Sequence, residues 1–336
     1  MAIVCASPIP SGHQLALVTL RGVQGVVVRD VTDIGHPVTR CGFSGGSNFR
    51  FITETRVSYI VTSSGLGSPG ALYMVDLQTQ TTSLVRKWAS GGYGSWVYAW
   101  SPDGRALTYL DSTPTGVWWH ILSAAGDVTM SPTLGNTVAR GIDPNTDDAW
   151  VGFSADGQYV AVEETFTSGG QAGLQIHKYG DTSVAYSRKD ATMATWAATG
   201  AGFYFRAGGG VQVWETTGKV QSVAQGLVWI RPWPSSDGTH IAYTTLNAQG
   251  NHQVGIMDTS ASNVTQAANE PRANPGFLTS TLVWYAGEVL CTTTTPCGFG
   301  GPGLTGETYI YDIAGVESGS VDANFYDSWP RVTGQT

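Results

Sequence analysis

Charge is what this sequence has least of. Asp, Glu, Lys and Arg make up 12% of the 336 residues, about half the roughly 25% of an average soluble domain. Lysine is especially scarce, and Thr, Ser, Gly and Trp fill its place, a surface composition of the secreted or periplasmic kind. Basic clusters are missing as well. A net charge of −8 and a pI near 5.1 argue against a nucleic-acid partner, because phosphate contacts need grouped Lys and Arg. No stretch of 18 apolar residues occurs, so no helical membrane span is expected. Met1 to Pro10 is too short for the charged and apolar regions of a signal peptide. Either a leader has been removed or the protein is cytosolic, and the composition favours an extracellular or periplasmic location. Helical periodicity of useful length is absent too.

Cysteine is sparse: Cys5, Cys41, Cys291 and Cys297. None forms a Cys-x-x-Cys pair, which argues against a zinc site. An even count permits two bridges in three pairings. Cys291 and Cys297 bracket a short Thr-rich span that can close as a hairpin staple, leaving Cys5 and Cys41 for each other. Four reduced, buried thiols are the alternative.

What the chain has in quantity is glycine, 44 residues, with 14 Tyr and 12 Trp, and these fall into a repeat. One copy is Trp100-Ser101-Pro102-Asp103-Gly104 followed by the alternating run Arg105 to Leu110. A second is Phe153-Ser154-Ala155-Asp156-Gly157 followed by Gln158 to Val162. A third runs from Trp196 through Gly200 to Phe205, and a fourth from Trp233 through Asp237-Gly238 to Tyr243. Asp-Gly supplies the positive-φ residue of a tight hairpin. The alternation after it marks a strand with one buried face. Third strands follow at Gly116 to Leu122, Leu174 to His177 and Val211 to Trp214, and a fourth at Lys219 to Val223. Four short strands per unit, at a period of about 40 residues, is the signature of propeller blades.

Weaker copies fill the rest. Phe49 to Ser63, turning at Glu54-Thr55, continues through Ala71 to Asp76. Leu282 to Thr294, with its turn at Gly287-Glu288, continues through Thr308 to Asp312. Near the N-terminus, Gln14 to Leu20 is followed by Val26 to Asp30. The expected fold class is therefore all-β, a seven-bladed β-propeller of four-stranded antiparallel blades. It forms one domain over 1–336, with a C-terminal strand at about 325–332 closing the N-terminal blade and removing exposed sheet edges.

The Trp100–Gly104 motif and its relatives resemble the PD40 (WD40-like) repeat of TolB-like propellers, clearly over four blades and weakly over the others. The same repeat occurs in the propellers of prolyl oligopeptidases and in oligogalacturonate lyases. The chain has no room for the hydrolase domain of the former. The six His are scattered singly, unlike the multi-histidine metal site of the latter. The resemblance to TolB implies protein interaction as the role, although such folds carry many functions.

Several motifs reduce to structure. Gly42-Phe43-Ser44-Gly45-Gly46 has the spacing of a nucleophile elbow but lies between strands, without the helix that elbow needs. Gly298 to Gly303 has dinucleotide-fingerprint spacing but no following helix. Asp103, Asp156 and Asp237 recur before Gly and read as turn residues. Asn263-Val264-Thr265 is a glycosylation sequon, relevant only in a eukaryotic secretory host. Asp143, Asn145 and Asp147 place oxygen ligands at alternate positions, as calcium prefers. An Asx-rich turn into the fourth blade is the plainer alternative, since the EF-type Gly and Glu are missing. No other cofactor is expected.

Most aromatics belong between blades, but some should line the axial mouth. Counting back along the innermost strands brings Arg50, Trp96, Tyr98, Asp148, Trp150, Trp229 and Arg231 to similar levels. Such an aromatic funnel with two Arg suits a sugar acid or another flat, anionic or hydroxylated ligand. The expected function is a secreted or periplasmic binding scaffold, monomeric, taking a protein, peptide or carbohydrate partner on its axial face. The alternative is a polysaccharide-fragment lyase or hydrolase with its site in the funnel. A structural module cut from a larger chain ranks last.

Overall fold

The Ser-x-Asp-Gly turns show how the local sequence builds a blade. Ser101 Oγ donates to Asp103 Oδ1 at 2.6 Å and accepts the Ala106 N–H at 2.8 Å, while Asp103 Oδ1 accepts the Arg105 N–H at 3.0 Å. Ser154 with Asp156, and Ser235 with Asp237, repeat the arrangement at 2.6 and 2.7 Å. Gly104 sits at φ 67°, and a Cβ there would meet Ile52 Cγ2 of the preceding blade at 2.8 Å. The glycine thus answers both the left-handed backbone and a close approach. These aspartates spend their oxygens on turn amides, as expected.

The computed structural model describes residues 3–20, 22–62, 70–88, 97–113, 116–132, 147–166, 171–200, 202–225, 230–246, 251–260, 264–267, 271–288, 304–317, 321 and 323–329. Among them every regular element is a β-strand, and no helix is long and apolar enough to cross a membrane. Blade 1 holds β1 (Ile3–Cys5), β2 (Leu15–Leu20), β3 (Val26–Asp30) and β4 (Val38–Phe43). Blade 2 holds β5 (Ser47–Thr53), β6 (Arg56–Thr62), β7 (Gly70–Asp76) and β8 (Thr81–Lys87). Blade 3 holds β9 (Tyr98–Trp100), β10 (Leu107–Thr113), β11 (Gly116–Ser123) and β12 (Gly126–Pro132). Blade 4 holds β13 (Asp147–Phe153), β14 (Tyr159–Phe166), β15 (Gln171–Lys178) and β16 (Val184–Arg188). Blade 5 holds β17 (Thr192–Trp196), β18 (Phe203–Ala207), β19 (Gly210–Trp214) and β20 (Val220–Gln225). Blade 6 holds β21 (Ile230–Pro234), β22 (His240–Leu246), β23 (His252–Asp258) and β24 (Val264–Gln266). Blade 7 holds β25 (Arg272–Phe277), β26 (Leu282–Glu288), β27 (Leu304–Asp312) and β28 (Val316–Glu317). The last strand, β29 (Ala323–Trp329), returns to blade 1.

Blades 2 to 7 are four-stranded antiparallel sheets in sequence order, and blade 1 has the order β1-β4-β3-β2-β29. The fold is a seven-bladed β-propeller. β29 is the innermost strand of blade 1, pairing Leu15 with Trp329 and Leu20 with Ala323. At the outer edge β1 adds a fifth strand, and Cys5, directly opposite Cys41, forms a disulfide with it. Cys291 and Cys297 lie outside the described residues.

Two details of the repeat fall differently from the sequence reading. Blade 7 opens with β25, and its first turn lies at residues 278–281, while Gly287-Glu288 belongs to β26. Asn274-Pro275 masks β25 as a strand. The ladder shifts register between Ala273 and Gly276, where Asn274 takes φ 52°. In blade 6, Pro234 rather than Trp233 pairs opposite the first residues of the second strand, as Trp100, Phe153 and Trp196 do elsewhere. The one-residue offset turns Trp233 to the other face, where its ring meets Trp284 of blade 7 at 5.8 Å.

Large rings fill the space between blades. Tyr59, Tyr109, Phe205, Tyr243 and Tyr285 occupy equivalent positions on second strands and are all nearly fully buried. Truncating any one to Ala costs about 3–5 kcal/mol by the usual scale for buried aromatics. Bulges supply the second kind of inter-blade contact. β5, β17, β21 and β25 shift register at one common level, and the β2–β29 ladder does so nearby. Bulges leave ladder amides unpaired, and side chains of the preceding blade take them up. Asp327 Oδ2 accepts the Phe51 N–H at 2.7 Å, Glu163 accepts the Met193 and Ala194 N–H at 2.8 Å each, and Thr244 Oγ1 accepts that of Asn274 at 3.2 Å.

Candidate functional site

The direction of the inner strands makes the two faces of the ring unlike. Each blade's first-to-second and third-to-fourth connections lie on one face, the turn face. The second-to-third connections and the links to the next blade lie on the other, the loop face. The turn face is closed by short turns with internal hydrogen bonds. Connections on the loop face range from Gly208-Gly209, both at positive φ, to the span 289–303.

At the loop face, the boundary of blades 6 and 7 gathers titratable groups. Glu288 ends β26, where the ladder skips from Ala286–Thr308 to Glu288–Leu304, and irregularities of this kind re-aim side chains. Its N–H bonds Pro271 O at 3.1 Å. Its carboxylate meets His252, the first residue of β23, with Nδ1 at 3.0 and 2.9 Å from the two oxygens. The Glu288 side chain is 4% exposed and that of His252 24%. An ionised carboxylate only accepts, so Nδ1 carries the proton.

Arg272, the first residue of β25, lies beside this pair. Its guanidinium stacks over the Tyr309 ring at 3.8 Å, donates to Pro271 O at 3.1 Å, and reaches Glu317 Oε1 at 3.4 Å. The Tyr285 hydroxyl donates to the other oxygen of Glu317. Burial, then that bond, holds the Tyr285 phenol well above its ordinary value; at Tyr309 the bond to Glu307 leads and burial follows. Both remain neutral donors.

Three further histidines meet carboxylates through Nδ1, in other settings. His13 shares Asp30 with Arg40, at 2.7 and 2.6 Å. His120 shares Asp127 with Arg86, whose guanidinium also binds Asp111 at 2.8 Å and lies over Tyr109. His36 and Asp33 are both exposed. Among the described residues only Glu288 is a nearly buried carboxylate whose side-chain partner is a histidine alone. His177 is buried against Thr182 O and Gln175, burial pushing it below its ordinary value.

The residues expected at the funnel spread over several environments. Tyr98 is 1% exposed; its hydroxyl donates to Asn48 O at 2.7 Å and lies 3.1 Å from Ser58 Oγ. Ser58 also donates to the Arg50 carbonyl, so Tyr98 and the Arg50 strand do come together. Arg50 is half-buried on β5. Trp150 is 3% exposed and packs on Phe203 at 5.9 Å. The backbones of Asp147, Asp148 and Arg231 lie in β13 and β21, and their side chains are outside the described part. Trp96, Trp229, Asp143 and Asn145 lie outside it altogether. Sequence reasoning missed His252 with Glu288, and Arg272 with Glu317. The partners are 36 and 45 residues apart, and no short motif links them.

No family model and no curated protein matches the sequence. Solved structures do. A periplasmic gluconolactonase of Pseudomonas aeruginosa is 12% identical at a TM-score of 0.56, with 96% of this chain and 98% of that one covered. Prolyl oligopeptidase B of Galerina marginata is 9% identical at 0.58, over 97% of this chain and 51% of that one. TolB of Acinetobacter baumannii is 16% identical at 0.49, over 94% and 66%. The likeness is one of fold. The chain spans about half of the peptidase and two thirds of TolB.

Proposed function

We propose that the chain is a secreted or periplasmic binding scaffold that takes a protein, peptide or carbohydrate partner on its loop face. The asymmetry of the faces carries this reading. Turn-face carboxylates such as Asp103 and Asp237 are committed to their own turns, whereas the loop face presents the partly exposed His252, held by the nearly buried Glu288, at one blade boundary. The Cys5–Cys41 disulfide supports an oxidising compartment. Arg50 and Arg231 remain the proposed cationic contacts of an axial ligand.

Thermal denaturation tests the carbohydrate branch. A ligand that binds only the native state raises the Tm, by about 2.7 kcal/mol of added stability at 100 times its Kd. We expect a uronic acid or oligosaccharide to raise the Tm of the wild type and not of Arg50→Ala or Arg231→Ala. A panel without any shift would discard that branch, leaving a protein or peptide partner to be sought with the loop face mutated.

A second reading is an enzyme acting on polysaccharide fragments or sugar derivatives at the funnel. Coverage of nearly the whole gluconolactonase chain supports it, since no further domain of that protein is missing from the match.

A further inference from the structure

The geometry points to His252 as a general base at the loop face, with Glu288 as its positioning residue, for hydrolysis of an ester or lactone by water. This goes beyond the binding reading and does not depend on it. Three observations carry it. Both oxygens of Glu288 face Nδ1, at 3.0 and 2.9 Å, which fixes the tautomer and leaves Nε2 as the basic nitrogen. The carboxylate is nearly buried while the imidazole is a quarter exposed, so Nε2 is the end that solvent reaches. And no guanidinium competes for Glu288 among the described residues, unlike Asp30 and Asp127, whose histidines share them with Arg40 and Arg86. His120 differs again, because its Nε2 is buried.

Among the described residues no serine or cysteine bonds His252, and the proposed nucleophile is water. Nε2 takes a proton from water as the oxygen adds to the carbonyl carbon and the π pair moves onto the carbonyl oxygen. The tetrahedral adduct collapses, the C–O bond to the alcohol breaks, and the leaving oxygen takes the proton back from Nε2. Water and ester become acid and alcohol, and the imidazole is regenerated. One positioned base contributes about 10²–10⁴-fold. That suits an alkoxide leaving group better than an amine, hence esters and lactones rather than peptides.

The test is hydrolysis of p-nitrophenyl acetate and δ-valerolactone by the full chain, followed from pH 5 to 9. We expect a rate well above that of free imidazole at equal concentration, reduced to that background in His252→Ala and unchanged in His36→Ala. Glu288→Gln should lower the rate at pH 7 roughly 10- to 100-fold and shift the pH–rate profile toward acid, an effect that loss of packing alone would not give. His252→Gln replaces His252→Ala if the latter does not fold. Diethyl pyrocarbonate mapping reads the accessibility of Nε2 directly, and His252 should be modified in the native protein. A wild-type rate no faster than imidazole, full activity in the His252 variants, or a native His252 inert to the reagent would each overturn the proposal.

Discussion

Blades 4 and 7 each bury glutamates toward the loop-face end of their second strand, and the two sets do different work. In blade 4, Glu163 and Glu164 are adjacent and point to opposite sides of the sheet. Glu163 accepts two backbone amides of blade 5, and Glu164 accepts the indole N–H of Trp119 in blade 3. Their donors are fixed and cannot lose a proton near neutral pH. In blade 7, Glu288 accepts from a partly exposed imidazole, a donor that can turn about its own bonds. The same residue type is a rivet in one blade and half of a proton-handling pair in the other, and the partner decides which.

Mutation should separate the two. Glu163→Ala removes the acceptor of two buried amides, each costing about 1–3 kcal/mol when unsatisfied. A loss of about 4 kcal/mol is expected in urea denaturation. Glu288→Gln should cost only about 1 kcal/mol, because the imidazole can still bond an amide or turn to water. Similar losses in the two variants would erase the distinction.

The N-terminal blade extends the comparison to covalent and ionic fastening. Replacing Cys5 and Cys41 by Ser together should cost about 3 kcal/mol, measured against the wild type without reductant. Asp30 is the next test. Burial alone would raise its carboxyl, but hydrogen bonds from Arg40, Thr32 and His13 outweigh that and hold it well below the usual carboxylate range. A carboxyl depressed in the fold stabilises above the unfolded pKa, about 4. It loses that contribution as pH falls, because the unfolded chain then binds the extra proton. Asp30→Asn should therefore cost about 2 kcal/mol at pH 7 and flatten the acid limb of the stability profile between pH 5 and 2. An unchanged slope would assign acid sensitivity elsewhere. An equally small effect, about 1 kcal/mol, is expected for Asp103→Ala, with the activity proposed for His252 untouched.

The repeat made most of the fold legible in the sequence. Asp-Gly turns and the alternation after them mark second strands, because hairpin chemistry is local. Blade 7 was harder to read because Pro275 and a bulge interrupt β25, and Trp233 because a neighbouring aromatic and a proline compete for one position. The site was far less legible. Tyr98 and Trp150 share the composition of a ligand funnel and of an inter-blade seam, and burial is what separates those. His252 and Glu288 meet across two consecutive blades, and the packing of one blade on the next, not ring closure by β29, sets their spacing.

That closure has a consequence for how the protein is made. The innermost strand of the first blade comes after the six other blades in the sequence, so β2 waits through the synthesis of six blades with its apolar edge unpaired. Contacts this distant in sequence form slowly, and unpaired strand edges invite association with other chains. Nascent chains ending before residue 323 should therefore be open rings that aggregate, and adding β29 as a separate peptide should rescue them.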